Sequence, residues 1–205
     1  MSAGARDVLE LGAGHGRDAL YLAGEGFAVH ATDFSATGLA QLTASARKAG
    51  LSRNVRTTVR DVRDPLLLAD ACMDAVFAHM LLCMALSTKE IHALVGEVRR
   101  VSRPGGGFVC TVRHTADAHY GTGTAHGDGI HEHGGFAVHF LADPVPMGRP
   151  RDLCGSRGRP IDALGCATEH AHLFVDRRSL TWPRSCPSCG CGGGAVRTRW
   201  SPLRR

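Results

Sequence analysis

Gly12, Gly14 and Gly16 interrupt the chain just after a short apolar run at Val8, Leu9 and Leu11. Glycines at this spacing let the backbone turn sharply and let a ligand approach with no Cβ in the way, at the positive N-terminus of the helix that follows. Asp33 stands about 20 residues further on, at the end of a second alternating stretch, where a carboxylate can accept hydrogen bonds from both hydroxyls of a ribose. Asp61 lies just past a third such stretch. A glycine turn with acids at two strand ends predicts a nucleoside site. The dinucleotide fingerprint wants Gly-x-Gly-x-x-Gly, and glycines at 12, 14 and 16 depart from it, which argues against a nicotinamide dinucleotide.

The elements that would position these residues follow from periodicity. Val8 to Leu11 reads as a strand, Asp18 to Ala23 repeats at helical spacing, and Phe27 to Asp33 alternates as a second strand. Ser35 can cap a helix over about 37–49 that Gly50 ends, and Val55 to Val59 is a third strand. Met73 to Met80 is a fourth strand, Ser87 and Glu90 form a capping box, and the turn at Pro104 to Gly107 leads into a fifth strand, Phe108 to Val112. Strands alternating with helices imply an α/β fold with a doubly wound, mostly parallel Rossmann-like sheet, in which ligands sit beyond the carboxyl ends of the strands.

Over residues 6–142 these motifs resemble the class I S-adenosylmethionine-dependent methyltransferases. The stretch Val8 to Asp18 looks like their first motif and Ala31 to Ser35 like their second. The likeness continues through Arg60 to Val62, Met73 to His79 and Arg103 to Phe108. Within the family, the stretch from Gly16 to Ala23 is nearest to a small-molecule branch that includes tellurite-resistance and thiopurine-type methyltransferases. The resemblance implies that Gly12, Gly14 and Gly16 flank the methionine part and ribose of S-adenosylmethionine, with Glu10 orienting the loop and reaching the amino end through water. It implies that Asp33 binds the ribose hydroxyls, Phe34 lies against the adenine, Asp61 accepts from the adenine amino group beside the Val62 backbone, and His79 borders the methionine carboxylate and the transferred methyl. Read as plain structure, Phe34 would be core, Glu10 a surface strand residue and Asp61 the start of a turn. Methyl transfer from a sulfonium needs alignment and exclusion of water more than a dedicated base, so no catalytic residue is assigned.

Residues 113–140 hold 6 of the 12 histidines among glycines and small polar residues, which predicts a flexible polar segment leaving the fifth strand. Arg113, His114, His119 and Tyr120 are the candidates there for gripping an acidic or polar acceptor. A solvated loop is the equal alternative, and no compact metal-ligand pattern appears.

The 24 Lys+Arg against 19 Asp+Glu are unevenly placed: residues 1–142 carry 13 and 14, residues 143–205 carry 11 and 5. The later part also holds 7 of 9 Pro and 5 of 8 Cys. The chain therefore divides into a methyltransferase domain, 1–142, and an Arg/Pro/Cys-rich tail, 143–205, which lacks strand or helix period and reads as disordered or non-native. A family member should end instead in a helix and an antiparallel strand pair. The early first strand makes the domain look truncated at its N-terminus as well. Two alternatives follow: a truncated or inactive relative with weak cofactor binding, or a zinc or nucleic-acid module using the tail, where Cys186, Cys189 and Cys191 could join Cys166 with His170 or His172. Arginine without interleaved aromatics argues against nucleic acid. No apolar run approaches the roughly 18 residues of a membrane span and no signal-peptide layout is present, so a cytoplasmic protein is expected. Oligomeric state leaves no signal.

Overall fold

A computed structural model describes residues 6–142 and, by their backbone alone, 171–175. The first five strands and three helices alternate: β1 Asp7–Leu11, α1 Arg17–Gly24, β2 Ala28–Asp33, α2 Ala36–Lys48, β3 Val55–Val59, β4 Met73–Ala78, α3 Thr88–Val101 and β5 Ser102–His114. Their order across the sheet is β3-β2-β1-β4-β5, and every neighbouring pair is parallel. Sheet order runs outward in both directions from the β1/β4 pair, and right-handed crossovers then put helices on opposite faces. The core divides accordingly: Leu9, Leu11, Val76 and Ala78 pack with Ile91, Leu94 and Val98 of α3. Val29 and Ala31 pack instead with Ala19, Ala23, Leu39 and Leu42 of α1 and α2.

Local chemistry fixes the ends of the helices. The Ser35 hydroxyl accepts the Gly38 N–H at the start of α2 (3.1 Å). At α3, Glu90 Oε2 accepts the Ser87 N–H and Ser87 Oγ accepts the Glu90 N–H, so the capping box is closed in both directions. In contrast, α1 begins at Gly16 in the left-handed region (φ 87°) with no side-chain cap.

Three expectations are corrected. Pro104 to Gly107 is not a turn ahead of β5 but an irregular stretch within it, with a register shift between Met73 and Ala75 on the neighbouring strand. Residues 113–140 are not a flexible loop. Arg113 and His114 end β5, and an antiparallel meander follows: β6 Thr124–Gly127, β7 Ile130–His133 and β8 Phe136–Leu141. The strand β8 returns parallel to β5, pairing Phe140 with Arg113 and Leu141 with His114. The buried His139 fastens it by hydrogen-bonding the Leu86 carbonyl through Nδ1 (2.6 Å), and Asp128 accepts both the N–H and the hydroxyl of Thr88. Finally, a strand does lie beyond 142: β9 Ala171–Val175 runs antiparallel to Phe108–Val112 of β5. The sequence had shown no strand period there, and β9 now occupies the β5 edge where an antiparallel partner was expected. The rest of the tail, including Cys166, His170, Cys186, Cys189 and Cys191, lies outside the described residues.

The sequence alone predicts that truncation after Leu141 leaves the thermal transition nearly unchanged. Because β9 covers five residues of a central β-strand edge, the expected outcome is now a lower thermal midpoint and greater association through the bared edge. A melt and a sedimentation profile indistinguishable from those of the full chain would show that β9 adds nothing to the sheet.

Candidate cofactor and acceptor site

The carboxyl ends of β1, β2, β3 and β4 bring Glu10, Asp33, Asp61 and His79 to one edge of the sheet, as parallel register requires. The turn after β1 is tied to β2 by the N–H groups of Gly12 and Ala13, which both donate to the Thr32 carbonyl. Gly12, Gly14 and Gly16 all have positive φ (72°, 55° and 87°), a conformation costly for any residue with a Cβ.

Their surroundings differ. A Cβ on Gly12 would come within 2.9 Å of Leu81, and one on Gly16 within 2.2 Å of Leu42, whereas one on Gly14 would meet nothing within 4 Å. Gly14 therefore borders open space. Gly16 is also required by the packing of α1 on α2, whose Leu42 occupies the space a Cβ would need. Gly38, which sequence reasoning passed over, lets α2 approach the turn: a Cβ there would lie 2.8 Å from the Gly14 carbonyl oxygen.

Glu10 lies beneath this turn, on the strand face opposite Leu9 and Leu11. It is only 3% exposed, so it is not a surface residue. Its Oε2 is buried without a hydrogen-bond partner. Burial, helped by the negative charges of Asp18 and Asp33, raises its pKa to about 8. Among the described residues no group satisfies this buried carboxyl oxygen.

Asp33 is also buried, at 6% exposure. Its Oδ2 accepts the Gly14 N–H (2.8 Å) and its Oδ1 the Ser35 N–H (2.7 Å). The same carboxylate proposed for the ribose thus holds the glycine turn against the start of α2. Phe34 is 78% exposed and is not core. Asp61 accepts the Arg63 N–H (2.9 Å) and pairs with the Arg63 guanidinium (3.1 Å), so it does start a turn. The Arg63 N–H and charge hold its pKa below the usual carboxylate value. Val62 is partly buried against the α3 core.

His79 follows β4, and its Nδ1 lies 3.1 Å from the Thr111 hydroxyl. That hydroxyl also accepts the Met80 N–H (2.6 Å), where the backbone turns through a positive φ of 55°. With its one proton donated to Nδ1, Thr111 would leave the imidazole a donor at Nε2. Thr111 is a polar residue inside the apolar run 108–112, the only signal by which the sequence could have revealed it.

The acceptor candidates converge on a residue the sequence reading missed. Buried Asp117 pairs with Arg113 and accepts from the His119 N–H (2.9 Å), with His119 Nδ1 3.1 Å away. Despite the cost of burial, these donors lower its pKa to about 2. Arg113 and His119 are therefore partners of an internal anion, although the buried Arg113 Nε has no partner. His114 Nδ1 accepts the Ala116 N–H (3.0 Å), which stabilises its own turn. Tyr120 packs edge-on against His131 and Phe140, at centroid separations of 5.1 and 5.6 Å. Among the described residues no cluster of His, Cys, Asp or Glu could hold a metal ion, and no helix is long and apolar enough to cross a membrane.

Residues 8–106 match the family described as methyltransferase domain. No curated protein matches the chain. Among solved structures, the PH0226 protein of Pyrococcus horikoshii superposes with a TM-score of 0.65 at 17% identity, covering 86% of this chain and 84% of that one. A S-adenosylmethionine-dependent methyltransferase of Methanosarcina mazei does so at 0.59 and 19%, covering 67% and 74%. At these identities the likeness is one of fold. The CcbJ methyltransferase of Streptomyces caelestis is 31% identical, with a TM-score of 0.55, over 66% of this chain and 57% of that one. Several other solved structures are spanned over only 37% to 44% of their own length. The family match from β1 into the start of β5, the doubly wound sheet and the glycine turn agree: residues 8–106 form a methyltransferase domain with the class I, Rossmann-like methyltransferase fold.

Proposed function

We propose that this chain transfers a methyl group from S-adenosylmethionine to a small-molecule acceptor by in-line displacement. The observation that carries this reading is the orphaned, buried Glu10 carboxyl beside Gly14, where a Cβ would meet only open space. The residues present fit the cofactor. Glu10 answers the methionine ammonium, Asp33 the ribose hydroxyls, Phe34 a face of the adenine, and Asp61 with the Val62 backbone its edge. The uncapped N-terminus of α1 and a His79 donor would favour the negative carboxylate. When bound, S-adenosylmethionine supplies an activated methyl on a sulfonium sulfur. The protein's own part is to orient the acceptor and keep water away, and no side chain here is assigned as a base.

On this reading the acceptor enters beside the meander, where Arg113, His114, His119 and Tyr120 stand at the end of β5. The unpartnered Arg113 Nε offers a donor to a polar or anionic acceptor. The small-molecule branch, a cytoplasmic location, and a methyltransferase domain of 1–142 that recruits β9 to its sheet belong to the same proposal.

Calorimetric titration with S-adenosylhomocysteine tests it, with Gly14→Val as the control. The parent should bind. The variant should lose binding and, because a branched side chain is strained at a φ of 55°, melt somewhat lower, while keeping its far-UV circular dichroism because the new side chain projects into open space rather than into the protein. A folded parent that gives no binding heat or signal at millimolar ligand would sink the reading, and a Gly14→Val variant of unchanged affinity would displace the site. A screen of thiols, metalloid oxyanions, amines and phenols then identifies the acceptor.

A further inference from the structure

Arg63 makes more directed contacts than a residue in an exposed turn needs. Its N–H donates to Asp61 Oδ1 (2.9 Å), its Nη1 to Asp61 Oδ2 (3.1 Å) and Oδ1 (3.3 Å), its Nε to Glu90 Oε1 (3.1 Å) and its Nη2 to the Ala85 carbonyl (3.4 Å). Glu90 is itself fixed, since its other oxygen closes the capping box of α3. One guanidinium therefore ties the turn after β3 to the loop and helix after β4. The side chains of Arg63, Asp61 and Glu90 are 45%, 42% and 36% exposed, and ion pairs so open to water add little stability. What the arrangement does supply is geometry. A carboxylate offers about four lone-pair sites. Arg63 takes two at Oδ1 and one at Oδ2, so Oδ2 retains one.

We propose that Arg63 is a positioning residue for purine recognition: anchored on Glu90 and Ala85, it fixes the Asp61 carboxylate so that the remaining Oδ2 lone pair accepts from the 6-amino group of adenine. The inference rests on the proposed contact between Asp61 and the adenine, and it explains how that acid can act from an exposed turn. Nothing else among the described residues hydrogen-bonds the Asp61 side chain. Loss of the fork would leave the carboxylate held at Oδ1 by the Arg63 N–H alone, with Oδ2 no longer fixed.

The test compares two ligands on the full chain: S-adenosylhomocysteine, and its analogue with hydrogen in place of the 6-amino group. The parent should prefer the amino compound about tenfold, the worth of one hydrogen bond to a charged acceptor. Arg63→Gln should lose most of that preference by weakening the amino compound alone, with the analogue bound within about twofold of the parent. A merely structural Arg63 would lower the melting midpoint or weaken both ligands equally, and either result with the preference intact overturns the proposal. Asp61→Ala separates the two levels. If it keeps the preference, the adenine reading of Asp61 has failed; if it loses the preference while Arg63→Gln retains it, only the role of Arg63 has failed. Should Arg63→Gln not fold, Arg63→Lys keeps the charge without the fork, and a full preference in that variant overturns the proposal equally.

Discussion

Glu10→Gln is expected to stabilise the fold at pH 8 while weakening cofactor binding, an opposition that a purely structural carboxyl would not show. In the folded chain the Glu10 pKa is raised from 4.5 to about 8, with burial as the largest cause. The folded state then holds a proton that the unfolded state releases above pH 4.5. Stability is therefore fully present below pH 4.5 and is lost as pH rises towards 8, at about 1.4 kcal/mol per unit. The total over that window is on the order of 3–5 kcal/mol. Gln does not titrate, so urea or thermal melts at pH 5 and pH 8 should fall apart for the parent and nearly coincide for the variant. Binding follows the reverse logic. An ammonium bound near Glu10 favours the ionised form, so the parent should bind S-adenosylhomocysteine more tightly from pH 6 to pH 8 and release a proton on binding. The proton shows as a buffer-dependent heat. Parallel pH slopes in parent and variant, for both stability and affinity, would mean that Glu10 is not the buried acid described.

The parts of this molecule legible in its sequence are those written within a few residues of one another. The alternation that makes β2, the Ser35 cap, the capping box of Ser87 and Glu90, and the acid ending β2 all depend on local spacing, and each stands where that spacing puts it. What local spacing does not carry is the identity of a neighbour brought from elsewhere. Gly16 resembles its companions at 12 and 14, and nothing in its spacing announces that Leu42 on α2 packs where its Cβ would be. Asp117 is one acid among histidines until folding encloses it with Arg113 and His119. The meander was hidden for a related reason. His139 occupies a core position, made acceptable by its bond to the Leu86 carbonyl, so a polar letter stood at a buried place in β8, whose last three residues are all buried and show no alternation. The partner of β5 at Phe108–Val112 comes from Ala171–Val175, too far along the chain for any periodicity to announce. The site residues proposed for the cofactor all lie on short local motifs. Those proposed for the acceptor depend on the distant contacts, and the structure changed their reading most.

Asp33→Asn is expected to impair both binding and folding, whereas the sequence alone predicts a loss of binding with the fold little changed. The difference comes from the two N–H groups that converge on this carboxylate, from Gly14 on Oδ2 and from Ser35 on Oδ1. An amide retains one acceptor oxygen but directs its NH2 at the other donor. One N–H in a buried place then loses its partner, at a cost of about 1–3 kcal/mol. In a domain of this size that lowers the thermal midpoint by roughly 2–4 °C per kcal/mol. The ribose meanwhile loses a charge-assisted acceptor worth about 1.5–3 kcal/mol, or on the order of 10- to 150-fold in affinity for S-adenosylmethionine. Either orientation of the amide leaves one donor facing another, so a simple flip restores neither function completely. Calorimetry and thermal melts on the same preparation separate the two effects. A variant that melts lower but binds as the parent does would leave Asp33 as the clasp between the glycine turn and α2 alone. A variant that melts like the parent but fails to bind would show that the clasp is dispensable and that the charge serves only the nucleoside.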